Sequence, residues 1–270
     1  MNVEGLDLSF EQLFSRRKQL ADEYTNVSRL ASITPMAQTL AEQPVVAPVI
    51  ETKSPLDQIR EDWKKEPHTP EFVTRIDRAV LELVKPHIEI PFTMPDAFPG
   101  TQLALSEGER CGDVFAFQPI ELATPEGRYH LAQGFKAIGN LYVPIHSSVQ
   151  KVNKVTIHTL HAGWRRISGQ IDAPHLGFSA NRGTDELVKN GNEGIDENEY
   201  LRLGLHMKAT KDVYPDQNGT WTWLLNSSQS DEVVGSGFHQ NGYFYVVSVL
   251  LSDNHNPNLG VRLSSGVSES

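Results

Sequence analysis

The chain has 270 residues, 39% hydrophobic and 21% charged, which suffices to bury a core and excludes a fully disordered polymer. The formal net charge is −10, divided as −4 over residues 1–90 (15 acidic, 11 basic) and −6 over 91–270 (19 acidic, 13 basic), so neither half is a basic arm that grips nucleic acid mainly through phosphates. A single cysteine, Cys111, excludes an intrachain disulfide; with no signal-like apolar core after Met1 and no run of about 18 apolar residues, the expectation is an intracellular protein without a spanning helix.

Residues 9–24 predict an amphipathic helix within an N-terminal segment 1–33. Ser9 and Gln12 have capping-box spacing, and Phe10, Leu13, Phe14 and Leu20 share a face. Such a helix suits docking on a core, with a membrane-surface or partner contact as the alternative. Residues 34–54, broken by Pro35, Pro44 and Pro48, predict a flexible linker. Two helices are expected over 55–87, packing on a sheet. Ser54-Pro55 starts the first, with Leu56, Ile59 and Trp63 on one face. Thr69-Pro70 starts the second, which carries Phe72, Ile76, Ala79, Val80 and Leu83 and ends at Pro86.

From residue 88 the period changes to two. Val114–Phe117, Val152–Leu160 and the Trp221, Trp223, Leu225 alternation predict strands. Residues 200–208 show the plainest alternation: Leu201, Leu203, Leu205 and Met207 against Arg202, Gly204, His206 and Lys208, a strand with one wet face. Tyr243–Ser252 reads as a central strand, Val261–Leu263 as an edge, and Asp216–Gly219 as a hairpin between two strands. No helix-length pattern interrupts the strands. The expected fold is mainly β: an antiparallel β-sandwich or jelly-roll-like domain over 88–265, preceded by two or three short helices and followed by a flexible tail at 266–270.

Little in this pattern points to catalysis. On a strand, His158 and His161 would face opposite ways, and no His-Glu-x-x-His run occurs, so no metal centre is expected. The acidic stretch 190–199 lacks the ligand spacing of a calcium loop and reads as a solvated, mobile loop. Cys111 reads as an ordinary loop thiol with no base to activate it. No nucleophile elbow, phosphate loop or dinucleotide fingerprint is found, so a non-enzymatic role without a cofactor is expected. The candidate nucleic-acid contact is Lys151, Lys154, Trp164, Arg165 and Arg166, an aromatic with clustered cations at a hairpin end; the same residues also suit a charged, soluble turn.

One ordering of motifs carries a family resemblance. Lys154–Leu160 is followed by a turn at Gly169, then by His175–Arg182, a turn at Gly237 and the strand Tyr243–Leu251. Across about residues 140–255 this resembles the thirty-kilodalton superfamily of plant-virus movement proteins. The superfamily's characteristic aspartate falls at Asn181 here. The resemblance implies a viral cell-to-cell transport protein that binds RNA or ribonucleoprotein, self-associates, meets membranes or host proteins peripherally at plasmodesmata, and works in the host cytoplasm without cofactor or chemistry. The alternatives are a jelly-roll capsid-like structural protein, and a β-sandwich enzyme or small-ligand binder, which requires convergent polar groups in a pocket.

Overall fold

The computed structural model describes residues 53–65, 67–139, 155–229, 232–249 and 255–268, all within one compact unit, Thr52–Ser270. The expected helix at 9–24, the linker up to residue 52, Lys151 and Lys154 lie outside the described residues. Two helices open the unit. Helix α1 (Pro55–Lys65) begins where the Ser54 hydroxyl accepts from the Asp57 amide at 3.1 Å. Helix α2 (Pro70–Val84) has Thr69 as its N-cap, the hydroxyl accepting from Phe72 N at 3.2 Å, and Pro70 in its first turn. Its spacing buries Phe72, Ile76, Val80, Leu81 and Val84, and Pro86 falls in a short 3-10 turn, Lys85–His87, that closes it.

The described strands form two sheets. In the first, β1 (Asp113–Gln118), β3 (Gly163–Ser168), β9 (Leu263–Gly266) and β4 (Glu193–Gly194) run antiparallel in that order. In the second, the order is β2 (Val155–Ile157), β5 (Trp221–Gln229), β6 (Glu232–Phe238) and β7 (Phe244–Val249); β8 (Leu259–Val261) pairs with the start of β5 in parallel. Arg262, between β8 and β9, marks where the chain passes from one sheet to the other. Its guanidinium is wholly buried and donates to the carbonyls of Ser168, Gln170 and Ile171, to Thr222 Oγ1 and to the Asp216 carboxylate. A buried cation is tolerated because an opposite charge and four further acceptors surround it.

The strand expected over 200–208 is instead the middle of helix α6 (Glu197–Lys211). Asp196 accepts from Glu199 N at 2.8 Å, and the Glu199 side chain reaches back to Asp196 N at 3.2 Å, which closes a capping box. Leu201, Leu203, Leu205 and Met207 are all buried, but so are Arg202 and His206. A helix enclosed on every side needs no single apolar stripe, so its apolar residues can alternate as if on a strand. There is no wet face: Arg202 and His206, four apart and therefore neighbours along the helix, both meet the fully buried Asp77 of α2.

Among the described residues, three more helices fall after residue 90: α3 (Gln102–Cys111), α4 (Gly127–Gly134) and α5 (Ala180–Asn190). The architecture is therefore mixed α/β, with helices between the strands of two largely antiparallel sheets, rather than a mainly β sandwich. Other expectations change with it. Asp216–Gly219 joins α6 to β5 rather than two strands. Among the described strands β7, expected to be central, pairs with β6 alone, and Tyr245 and Val246 are half-buried. Val261–Leu263, expected as an edge, spans the end of β8, which among the described strands pairs with β5 alone, and the start of β9, which lies between β3 and β4. No helix among the described residues is long and apolar enough to cross a membrane.

Candidate functional site

A cleft of about 450 Å³ opens where α1, α3 and the last residue of α6 converge. That size lies within the ~300–1,000 Å³ usual for small-molecule sites. Its floor is apolar, from Val73 of α2, Leu105 of α3 and Phe115 of β1. His68, in the turn between α1 and α2, stacks on Phe72 with ring centres 4.9 Å apart and tilts against Trp63 at 4.2 Å. Its Nδ1 contacts the Glu109 carboxylate, and Gln102 donates to its carbonyl. Asp113 at the opposite wall is held by Arg166 Nε at 2.6 Å. Lys64 and Lys211 complete the rim, with Lys211 Nζ 5.9 Å from the Trp63 ring centre. Partial desolvation of the Lys211 ammonium lowers its pKa, against the opposing pull of Glu109.

A second group of polar side chains is internal. It lies where the first sheet meets the N-terminus of α6. His161 comes from the β2–β3 connection, Arg165 from β3, Glu193 from β4, Ser264 from β9, and Asp196 and Glu199 from the cap of α6. His161, Arg165, Asp196, Glu199 and Ser264 are all buried, while half of the Glu193 side chain is exposed. Glu199 is the hub. Its Oε1 accepts from Arg165 Nε at 2.7 Å and Ser264 Oγ at 2.6 Å; its Oε2 lies 2.7 Å from His161 Nδ1. Burial would raise the Glu199 pKa, but His161, Arg165 and Ser264 outweigh it and hold the carboxyl below its usual range. His161 is raised despite its burial, through Glu199. Asp196 behaves differently. Burial and the neighbouring Glu199 charge push it up to about 7, and its Oδ2 has no hydrogen-bond partner.

The sequence-predicted site residues separate in the fold. Trp164, Arg165 and Arg166 stand on β3 inside the first sheet, not at a hairpin end. Trp164 is buried against Phe98, and Arg165 is enclosed by Glu199, Glu193 and Ser264, so neither offers a face to a base or a phosphate. Arg166 is half-buried and bound to Asp113. Asn181 sits in the first turn of α5. Cys111 is the exposed last residue of α3 rather than a loop thiol. The stretch 190–199, expected to be solvated, supplies β4 and the wholly buried Asp196, Glu197, Asn198 and Glu199.

Sequence reasoning missed both groupings. A signal for the inner one was present, since Asp196-x-x-Glu199 is capping-box spacing directly before an apolar run. Nothing local marks the cleft, whose walls come from residues 63 to 211. Compared with protein-family models, curated proteins and solved structures, the chain matches none.

Proposed function

We propose that this chain is a small-ligand-binding protein that takes a flat, anionic molecule into the cleft between α1, α3 and the end of α6, without chemical turnover. One observation carries the reading. The carboxylates of the cleft are already paired, Glu109 with His68 and Asp113 with Arg166, whereas Lys64 and Lys211 on its rim have no hydrogen bond or ion pair among the described residues. The net local offer is therefore cationic, above an aromatic wall and an apolar floor. Trp63 can stack a planar ring, and an ammonium group at the rim can hold a carboxylate or phosphate. The His68 imidazole, held by Glu109 and enclosed between Phe72 and Trp63, has a positioning role in this reading. A nucleic-acid groove on β3 is disfavoured because Trp164 and Arg165 are internal.

The test uses benzoate, indole-3-acetate and adenosine monophosphate as probes, followed by ligand-detected NMR and tryptophan fluorescence. At least one should bind, and Lys64→Ala/Lys211→Ala should weaken it by roughly ten- to a hundredfold, the loss of a charge-assisted hydrogen bond. If no probe binds, or the double variant binds equally well, the cleft reading is wrong.

A further inference from the structure

We propose that His161, Asp196 and Glu199 form an internal site for one divalent first-row metal ion, with zinc the best match. One ligand atom from each residue lies within 4.8 Å of the others. His161 Nδ1 is 2.7 Å from Glu199 Oε2 and 3.6 Å from Asp196 Oδ2. In a tetrahedral shell with bonds of about 2.1 Å, neighbouring ligand atoms stand roughly 3.4 Å apart, so small side-chain adjustments bring all three atoms to bonding distance. One imidazole nitrogen with two carboxylate oxygens is a donor set that zinc, manganese or iron accepts and that magnesium and calcium, which prefer oxygen alone, do not favour.

The atoms behind the ligands are arranged as a metal site requires. Each ligand's remaining polar atom is held from behind, which fixes the facing atom. Glu199 Oε1 is held by Arg165 and Ser264. Asp196 Oδ1 is held by the Glu199 amide at 2.8 Å. His161 Nε2 faces Glu193 Oε2 at 3.2 Å. What remains is Asp196 Oδ2, fully buried, unpartnered and beside His161 Nδ1. A buried carboxylate oxygen without a partner is costly.

Charge counting agrees. With Asp196 ionised, as metal ligation requires, three carboxylates (Glu193, Asp196, Glu199) face Arg165 and at most one charge on His161, one negative charge in excess. A dication that displaces the His161 proton brings the group to neutrality. With only Glu193 substantially exposed, the ion would be structural, clamping the β2–β3 connection to the first turn of α6. This site is independent of the cleft, so either proposal can fail without the other.

The experiment starts from the full chain stripped with a chelator. Zinc chloride, then manganese and cobalt chlorides, are titrated by calorimetry, with metal content measured after dialysis and melting temperature followed throughout. The expected result is one ion per chain and a higher melting temperature with zinc. Glu193→Gln, at the half-exposed outer position, should weaken binding by about 10–100-fold while leaving the far-ultraviolet circular dichroism unchanged. Asp196→Asn keeps the shape of the cap but removes a ligand, and should weaken binding further. Cobalt should give the visible absorption of a low-coordinate ion in the wild-type chain, a readout that does not depend on any variant folding. Failure of the wild-type chain to retain a stoichiometric ion overturns the site, and so does unaltered affinity in a folded Asp196→Asn.

Discussion

Asp77→Asn should be among the most damaging single changes outside the two sites. Asp77 is fully buried on α2, accepts from Phe117 N at 3.0 Å, contacts Arg202 Nη2, and lies 3.1 Å from His206 Nδ1. Burial alone would push its carboxyl up, but the Arg202 charge and the His206 and Phe117 contacts hold it below its usual value, so it is ionised at neutral pH. The asparagine variant keeps the size and removes the charge. It leaves the Arg202 guanidinium, 1% exposed at its side chain, without a counter-charge, its close acceptors being the Phe117 carbonyl and the neutral amide oxygen of the new side chain. Removing one partner of a buried ion pair costs about 3–5 kcal/mol, against about 1 kcal/mol for an ordinary hydrogen bond. For a body of this size that corresponds to a melting temperature lower by roughly 6–20 °C. Urea unfolding monitored by circular dichroism gives the value. Adding Arg202→Met should recover much of the loss, because the stranded charge goes with it. A loss below about 1 kcal/mol, or a double variant worse than the single one by the full cost of a second buried change, would refute the assignment of this pair as charge-compensating.

The same environment sets an acid-sensitive term. Burial lowers the His206 pKa and the Arg202 charge adds to this, more than Asp77 raises it, so the folded chain holds His206 neutral while the unfolded chain protonates it near 6.5. Stability should therefore fall as the pH drops below about 6.5, and subtracting His206→Gln unfolding data between about pH 7 and pH 5 isolates that slope; a wild-type term that grows with acid would contradict it. Gly204→Ala, which in an exposed helix would stabilise by up to about 1 kcal/mol, should here destabilise by roughly 1 kcal/mol, since its Cβ would stand 2.7 Å from the Phe238 ring and 3.2 Å from Phe135; a rise in melting temperature would show that the rings yield freely. Thr69→Ala removes the α2 cap and should cost about 1 kcal/mol in the same assay, with Thr69→Asn nearly neutral.

How much of this was legible depended on how far apart the determining residues lie. Helix α2 was readable because everything that makes it is local: Thr69-Pro70 at one end, a 3.6-residue apolar stripe, and Pro86 at the other. β1 and β5 were readable because strand-length apolar patterns mark them locally, the run Val114–Phe117 and the repeat Trp221, Trp223, Leu225. Helix α6 was misread because periodicity reports the contrast between a wet face and a dry one, and α6 has no wet face until Lys208 and Lys211. The acidic run 190–199 was misread for a related reason. Charge normally means solvent, and the partners that neutralise it, Arg128 for Glu197 and Arg165 for Glu199, are distant in sequence. The inner cluster gathers residues from 161 to 264, and apart from the capping-box spacing of Asp196 and Glu199 no spacing rule links them.

α6 also explains why so many ionic groups are retained in one interior. A helix positioned by an apolar stripe has its rotation fixed by that stripe, whereas one that is apolar on most sides could turn about its axis at small cost in burial. Polar anchors remove that freedom. Glu197 and Glu199 are two residues apart, about 200° around the axis, and they reach opposite ways: Glu197 to Arg128 of α4 at 2.7 Å, Glu199 into the cluster with His161 and Arg165. Arg202 and His206 point toward a third neighbour, Asp77 of α2. A rotation of one residue position, about 100°, would strand several buried charges at several kcal/mol each, while apolar replacements would keep the burial and lose the penalty. The consequence reaches the cleft, because the helix that these anchors orient ends at Lys211 on its rim, and His206 holds the Trp63 wall edge-on at 5.5 Å.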